Sequence, residues 1–189
     1  MKFHLDKHKH ILLFSIAYLL LFIPFIGHVH LFDWDEINFA EAAREMILTG
    51  DWLNVQINFE PFWEKPPLFI WIQALSMSIF GINEFAARFP NVLIGLVTVL
   101  TVYFTVKKRY GHNASIYSVL FYAGSFTPHF YFKTGIIDPL FNLFIFISII
   151  NLVSGIENRR LMNFFFAGLS LGFAVITKGP VSILLVGLT

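Results

Sequence analysis

The sequence predicts an all-α integral membrane protein: a multi-span helical bundle whose first external loop bears amphipathic interfacial helices. Hydrophobic residues make up 57% of the 189 residues and charged residues only 13%, about half the charged share of a soluble domain. Most of the acidic side chains fall in one segment, residues 33–68, between apolar runs. The net charge of +1 excludes a nucleic-acid binder that works through a basic patch. With no cysteine, disulfides and thiolate metal sites are excluded as well.

The first apolar run, residues 11–27, predicts a retained transmembrane helix. Lys2, Lys7 and Lys9 precede it, as they would precede a signal peptide. No small-residue cleavage pattern ends the run, however. The basic start therefore predicts a first span with a cytoplasmic N-terminus.

The second apolar run, Leu68 to Phe80, predicts an interfacial helix. Its 13 residues reach only about 20 Å at ~1.5 Å per residue, which is short of a ~30 Å hydrocarbon core. If it crossed the membrane, residues 107–109 (Lys-Lys-Arg) would lie outside, against the positive-inside rule. Residues 28–88 are therefore expected to form one external loop.

The remaining apolar runs alternate across the membrane in this interpretation. The expected spans are residues 89–106, 114–132, 139–155 and 161–177, followed by an interrupted one at 181–189. Because the chain stops inside an apolar run, we expect residues 1–189 to be the N-terminal part of a single transmembrane domain in a longer protein.

Residues 33–48 of the loop have the pattern of an amphipathic helix. Asp33 and Glu36 have capping-box spacing, and Gly50 is a C-terminal stop signal. Glu41 and Arg44 are three residues apart on the polar side, where they can pair. The opposite face could rest on the membrane interface and carries Phe39, Ala43, Met46 and Ile47.

The acids at the start of this helix have two open interpretations. Asp33, Asp35 and Glu36 could only complement the positive end of the helix dipole. Alternatively, they could serve chemistry at the membrane surface, since spanning a bilayer does not require them. His28 and His30 next to Asp33 give only a weak indication of a metal site.

Three further positions combine charge with a rigid backbone or a helix end. Glu64 and Lys65 precede two prolines, which predicts either a turn with a rigid exit or a cation fixed near a helix N-terminus, where a phosphate would bind. Asp138 lies at the mouth of a helix pair and is either functional or paired with Lys133. Lys178 at another outer helix end either does chemistry or extends to the headgroups.

These strings together resemble a known family. The chain has D-E-I-N-F-A-E-A-A-R-E-M-I-L-T-G-D-W-L from residue 35, then E-K-P-P-L, R-F-P, I-I-D-P and T-K-G-P. In this order after a first membrane helix they are similar to the N-terminal part of bacterial polyprenol-dependent glycosyltransferases of the C-type fold. That family includes the lipid A aminoarabinose transferases and the protein O-mannosyltransferases.

The resemblance implies an enzyme that takes a sugar from a polyprenyl-phosphate donor and passes it to an acceptor hydroxyl on a lipid, glycan or protein. It implies catalytic acids at Asp35 and Asp138 and donor phosphate contacts at Lys65 and Lys178. Supporting positions are Glu36, Glu64 and Arg88. Some relatives have a metal near the position of Glu64, so a divalent metal there is left open, and no cofactor is otherwise required. Asn38 and Phe39 stand where many relatives carry Arg and Tyr, which puts one phosphate contact in doubt.

The expected chemistry is a single displacement that inverts the anomeric centre, at the non-cytoplasmic side of a bacterial cytoplasmic membrane. Membrane lipids are expected partners and nucleic acids are not. The alternative from another class is a transporter or a non-catalytic membrane subunit, in which Asp138, Lys133 and Lys178 serve a polar pathway or helix pairing. The first loop favours the transferase, because a transporter has little need for it.

Overall fold

The structure is a computed structural model that describes the backbone of residues 2–32 and 34–189 and the side chains of residues 11–32 and 34–189. Within these ranges the regular elements are helices apart from one short hairpin, and loops join them. The elements in order are α1 (Lys2–Phe22), α2 (Asp35–Thr49), β1 (Gln56–Ile57), β2 (Glu60–Pro61), α3 (Leu68–Phe80), α4 (Glu84–Tyr110), α5 (His112–Gly124), α6 (Phe126–Tyr131), α7 (Asp138–Asn158), α8 (Leu161–Lys178) and α9 (Val181–Gly187).

Two apolar cores hold these helices together. One lies among α2, α3 and the start of α4, where Phe39 meets Phe69 edge to face with ring centroids 6.0 Å apart. The other joins α1, α4 and α5, with Tyr18 stacked on Phe22 near Phe132. Helices α7 and α8 form a long hairpin that packs against α4 through α7.

The predicted fold class is confirmed. By length and composition, α4, α7 and α8 are each long and apolar enough to cross a membrane. They contain the predicted spans 89–106, 139–155 and 161–177 and extend them by one to five residues at most of their ends. The basic residues 107–109 lie in the last turn of α4, as the sequence predicts.

Two predicted spans differ in detail from the helices observed. Helix α1 ends at Phe22, five residues before the expected end of the span at residue 27. The backbone turns just after it, near Phe25 (φ 66°). Residues 114–132 are not one continuous helix, because the chain breaks at Ser125 between α5 and α6. Pro128 explains the break: it has no N–H to donate to the carbonyl of Gly124, and its ring clashes with that carbonyl in a continuous helix.

The loop helix α2 ends as predicted, at Gly50 in the left-handed conformation (φ 72°). The predicted capping residue Asp33 lies outside the described residues. The apolar face with Phe39, Ala43 and Met46 is buried against α3, so it belongs to the protein core and does not rest on the membrane interface. Helix α3 has the predicted bounds, and its interfacial location stays a prediction.

The hairpin β1–β2 was not predicted. Its strands pair antiparallel, with Gln56 opposite Pro61 and Ile57 opposite Glu60. Asn58 and Phe59 both have positive φ (57° and 60°), the geometry of a type I′ turn. This hairpin directs the chain into the Glu64-Lys65-Pro66-Pro67 segment.

Candidate active site

A cavity of about 410 Å³ lies between the loop and the end of α8. It brings together three of the predicted site residues, Glu64, Lys65 and Lys178, although 113 residues separate the two lysines (178 − 65). Three stretches of chain form its walls, namely residues 53–55, 61–67 and 178–180. The predicted phosphate-binding residues thus share one concave surface.

Local bonds fix the shape of this cavity. The N–H of Phe62 donates to the carbonyl of Val55 (2.8 Å), which joins two of the walls. The indole N–H of Trp71 on α3 donates to the carbonyl of Trp52 (2.6 Å). Four of the eight prolines in the chain line the cavity, and each restricts its local backbone; they are Pro61, Pro66, Pro67 and Pro180.

Lys178 forms an ion pair with Asp138, with Nζ 2.6 Å from Oδ1. Asp138 is the first residue of α7 and Lys178 the last of α8, so the pair joins the two helices at the open end of the hairpin. Their side chains are 25% and 34% exposed, and Lys178 also lies 5.6 Å from the ring centre of Phe141. The partner of Asp138 is therefore Lys178 and not Lys133, the alternative that the sequence left open.

Lys65 differs from Lys178 in its ion pairing. It is half-buried in the cavity wall, and no acidic side chain among the described residues forms an ion pair with it. Glu64 beside it is exposed. The cavity therefore offers one ammonium group whose charge is not already matched by a carboxylate.

Asp35 is the first residue of α2 and is half-buried. It does not line this cavity, and none of the described contacts joins it to Lys65, Asp138 or Lys178. Its catalytic role stays a prediction.

Glu36 and Arg88 occupy a different environment, deep in the protein. Arg88 binds both carboxylate oxygens of Glu36, through Nε (2.8 Å) and Nη2 (2.9 Å). Glu36 also accepts bonds from the backbone N–H groups of Phe32 (2.7 Å) and Gly135 (2.5 Å). Arg88 donates further bonds to three carbonyls, those of Ile26, Val29 and His30.

This buried pair has every hydrogen-bonding group occupied, so it fastens the start of α2 to α4 and to residue 135. Both side chains are at most 3% exposed. A carboxylate so enclosed has no open face for a substrate. The structure therefore shows Glu36 and Arg88 as a structural pair that joins α2 to α4, and their supporting role in catalysis stays a prediction.

Two buried amides also position the site, and sequence reasoning did not single them out. Gln73 donates to the carbonyls of Ala87 (2.8 Å) and Gly135 (3.3 Å). Asn91 donates to the carbonyls of Thr134 (2.6 Å) and Ile136 (2.7 Å). Together they hold residues 134–136, which lead directly into Asp138. The sequence signal that could have found them is an amide side chain within an apolar stretch of helix. A buried amide needs hydrogen-bond partners, so it indicates a contact with another segment.

Elsewhere in the loop, hydrogen bonds lower the pKa of two carboxyl groups. The bond from Arg44 lowers the pKa of Glu41, whose oxygens lie 2.6 and 2.8 Å from the guanidinium nitrogens. The predicted Glu41–Arg44 pair is thus confirmed. Asp51 accepts bonds from the side chain and backbone of Asn54 and the backbone of Leu53, and these lower its pKa.

The geometry gives no support to a metal at Glu64. Among the described side chains, no three histidine or acidic groups come close enough to hold an ion. The cavity that Glu64 lines also holds Lys65 and Lys178, whose ammonium groups are not metal ligands. A metal at Glu64 stays a prediction from the resemblance alone. The weak indication of a metal at His28 and His30 came from their spacing, and it stays untested because Asp33 lies outside the described residues.

Known proteins resemble this chain in sequence and in fold. An undecaprenyl phosphate-alpha-4-amino-4-deoxy-L-arabinose arabinosyl transferase from Photorhabdus laumondii is 30% identical over 173 residues, covering 89% of this chain and 31% of that protein. The enzyme of the same description from Wigglesworthia glossinidia brevipalpis is 28% identical over 177 residues, covering 90% and 31%. The chain therefore spans about a third of the length of these curated relatives.

The fold matches that of ArnT from Cupriavidus metallidurans. The crystal structure bound to undecaprenyl phosphate superposes with a TM-score of 0.84 at 24% identity, covering 93% of this chain and 34% of that one. The apo structure gives a TM-score of 0.86 at 23% identity, covering 97% and 35%.

The family assignment rests on the larger part of the chain. Residues 64–189, which begin at Glu64 and include Lys65, Asp138 and Lys178, match the family described as dolichyl-phosphate-mannose-protein mannosyltransferase. This match does not favour the alternative of a transporter or a non-catalytic subunit. The chain belongs to the dolichyl-phosphate-mannose-protein mannosyltransferase family of glycosyltransferases.

Proposed function

We propose that the full-length protein transfers a sugar from a polyprenyl-phosphate donor to an acceptor hydroxyl at the non-cytoplasmic surface of a bacterial inner membrane. The observation that carries the proposal is the cavity that places Lys65 and Lys178 together on one concave surface. The family and the undecaprenyl-phosphate relatives support a lipid-linked donor.

Lys65 is the main contact for the donor phosphate in this proposal. Its charge is not matched by a described carboxylate, and the prolines that follow hold its backbone in place. Lys178 shares its charge with Asp138, so it assists the phosphate more weakly. When the sugar leaves, both ammonium groups stabilise the negative charge that develops on the lipid phosphate.

The transfer step uses one base and one displacement. Asp35 lies outside the cavity walls and is kept as the base on the motif resemblance alone; in that role it accepts the proton of the acceptor hydroxyl as that oxygen attacks the anomeric carbon. The bond between the anomeric carbon and the phosphate oxygen breaks, and polyprenyl phosphate leaves with the electron pair. One displacement inverts the anomeric centre.

Asp138 is better suited to positioning than to base catalysis. Its Oδ1 already accepts a 2.6 Å bond from Lys178, and both residues lie at helix ends that fix them. We therefore assign Asp138 to the orientation of Lys178 and leave Asp35 as the base.

The arrangement of charge supports an external site. Arg109 at the end of α4 binds both oxygens of Glu157 at the end of α7 (3.1 and 2.9 Å), so the basic residues 107–109 and 159–160 share one end of the bundle. Asp138 and the cavity lie at the opposite end of α7, about 30 Å away at ~1.5 Å per residue. By the positive-inside rule the basic end is cytoplasmic.

Sidedness can be measured directly because the chain has no cysteine. In the full-length protein with any other cysteines replaced, an impermeant thiol reagent on spheroplasts should label Glu64→Cys and spare Lys108→Cys. Labelling of position 108 alone would reverse the proposed orientation.

The activity is tested with purified full-length protein in nanodiscs. Radiolabelled undecaprenyl-phosphate sugars, with mannose or 4-amino-4-deoxy-L-arabinose as the sugar, are incubated with candidate lipid, glycan and protein acceptors. The wild type should release undecaprenyl phosphate as labelled acceptor forms, and Lys65→Ala should bind undecaprenyl phosphate more weakly and transfer more slowly. Equal affinity and equal rate for Lys65→Ala would remove Lys65 from the site.

A further inference from the structure

We propose that the indole ring of Trp63 is the platform on which the sugar of the donor stacks, so that neighbouring residues of one segment bind the sugar and the phosphate. This inference rests on the proposed function. Trp63 lines the same cavity as Glu64 and Lys65. It is also 85% exposed, so most of the largest apolar side chain in this cavity wall is open to a ligand.

The backbone around Trp63 is fixed while its ring is left open. Pro61 and the bond from Phe62 to Val55 restrain the chain before it, and Pro66 and Pro67 restrain the chain after it. A restrained backbone reduces the conformational freedom that this segment loses when a ligand covers the ring. Such preorganisation is typical of ligand sites.

The composition of the cavity fits a sugar joined to a phosphate. Its volume of about 410 Å³ lies within the usual range of small-molecule sites, ~300–1,000 Å³. A pyranose has an apolar face of C–H groups, which an aromatic ring can cover, and hydroxyl groups around its rim. Asn54 and Glu64 line the cavity and offer oxygens to those hydroxyls, while Lys65 binds the adjoining phosphate.

A Trp at a membrane surface can also serve as an interfacial anchor, and this use is separable from sugar binding. An anchor affects all lipid ligands alike, because it acts on the position of the loop. A sugar platform affects only ligands that carry a sugar. Trp52 provides a matched control, since it is in the same loop and partly exposed (40%) but does not line the cavity. Its carbonyl, not its ring, accepts the bond from Trp71, so a substitution keeps that bond.

The experiment compares the affinity of full-length protein in nanodiscs for undecaprenyl phosphate with its affinity for undecaprenyl-phosphate mannose and undecaprenyl-phosphate 4-amino-4-deoxy-L-arabinose. The wild type should bind at least one glycosylated lipid more tightly than bare undecaprenyl phosphate. Trp63→Leu should weaken the affinity for that glycosylated lipid by about five- to tenfold, which is the size of a lost ring contact. The affinity for bare undecaprenyl phosphate should not change. Trp63→Phe should restore most of the difference, and Trp52→Leu should change neither affinity.

The inference is overturned if Trp63→Leu lowers the affinity for bare and glycosylated lipids equally, or lowers neither affinity. It is also overturned if the wild type binds no glycosylated lipid more tightly than bare undecaprenyl phosphate. Failure of the proposed function looks different: the wild type then binds none of the three lipids, or binds them without transfer to any acceptor. Active wild type with an unaffected Trp63→Leu variant removes only the platform.

Discussion

The buried Glu36–Arg88 pair and the Asp138–Lys178 pair beside the cavity use the same types of charge in opposite ways. Glu36 and Arg88 are at most 3% exposed and have seven hydrogen bonds between them and to the backbone, counting two with each other, two more to Glu36 and three more from Arg88. Asp138 and Lys178 are 25% and 34% exposed and share one 2.6 Å contact.

The difference separates structural charge from available charge. A fully bonded buried pair has no capacity for a ligand, and removing one partner leaves the other charge buried and uncompensated. A partly exposed pair beside a cavity can exchange one partner for a ligand phosphate at much lower cost. The two pairs therefore predict opposite phenotypes, with loss of folding at the first and loss of function at the second.

The largest effect is expected at the buried pair. Arg88→Met should destabilise the full-length protein by about 3–5 kcal/mol, because Glu36 is then buried without a counter-charge. This would be seen as loss of monodisperse protein in detergent and a lower apparent unfolding temperature. Arg109→Met on the same helix is the control, since the Arg109–Glu157 pair is exposed and should contribute at most about 1 kcal/mol. Similar losses for both variants would contradict the comparison.

A change of function without a change of folding is expected at Asp35. Asp35→Asn keeps the shape of the side chain and removes the base, so transfer should fall by about 10²–10⁴-fold while expression and unfolding temperature stay at wild-type values. Glu41→Gln, on the polar face of the same helix, should keep wild-type transfer. An Asp35→Asn variant that keeps activity within a few-fold of wild type would leave Asp35 with a helix-terminal role only.

A double-mutant cycle on the transfer rate tests the role of Asp138 in its pair with Lys178. If Asp138 acts only by orienting Lys178, then Asp138→Asn should cost little once Lys178→Met is present, and the coupling should be about 0.5–3 kcal/mol. If Asp138 were a base, Asp138→Asn would lower the rate by a further ~10²–10⁴-fold in either background. Additive losses of transfer rate of that size would show that Asp138 is a catalytic residue.

The smallest effect is expected at the exposed Glu41–Arg44 pair, and it depends on pH. The bond from Arg44 lowers the pKa of Glu41 in the folded protein. The pair therefore stabilises the fold above the unfolded pKa of about 4.3, and this contribution is lost as pH falls through the lower folded value.

The size of this contribution is limited because the two side chains are about a third exposed. Glu41→Gln should lower stability at pH 7 by only about 0.2–1 kcal/mol, and the difference from wild type should shrink as the pH falls below about 4.3 and disappear below the lowered pKa of folded Glu41. Apparent unfolding temperatures of both proteins across this range check it. If the difference in unfolding temperature grew as the pH fell, the pair would not stabilise the fold through ionised Glu41.

The sequence by itself determined the features that depend on neighbours along the chain. Apolar length and composition gave the helices α4, α7 and α8, and the stop signals gave the ends of α2 and α3 at Gly50 and Gly81. The same local strings carried the resemblance that the family match confirms. These features follow from helix propensity, capping and hydrophobic transfer, which act within a few residues.

Only the tertiary structure decided which charges meet. Glu36 and Arg88 are 52 residues apart and Asp138 and Lys178 are 40 apart, so the choice of Lys178 over the nearby Lys133 depends on how α7 packs against α8. The same packing turned the apolar face of α2 toward α3 and left Asp35 outside the cavity. Local sequence cannot fix these partners, because a side chain selects its partner from whatever the packed helices bring within hydrogen-bonding distance.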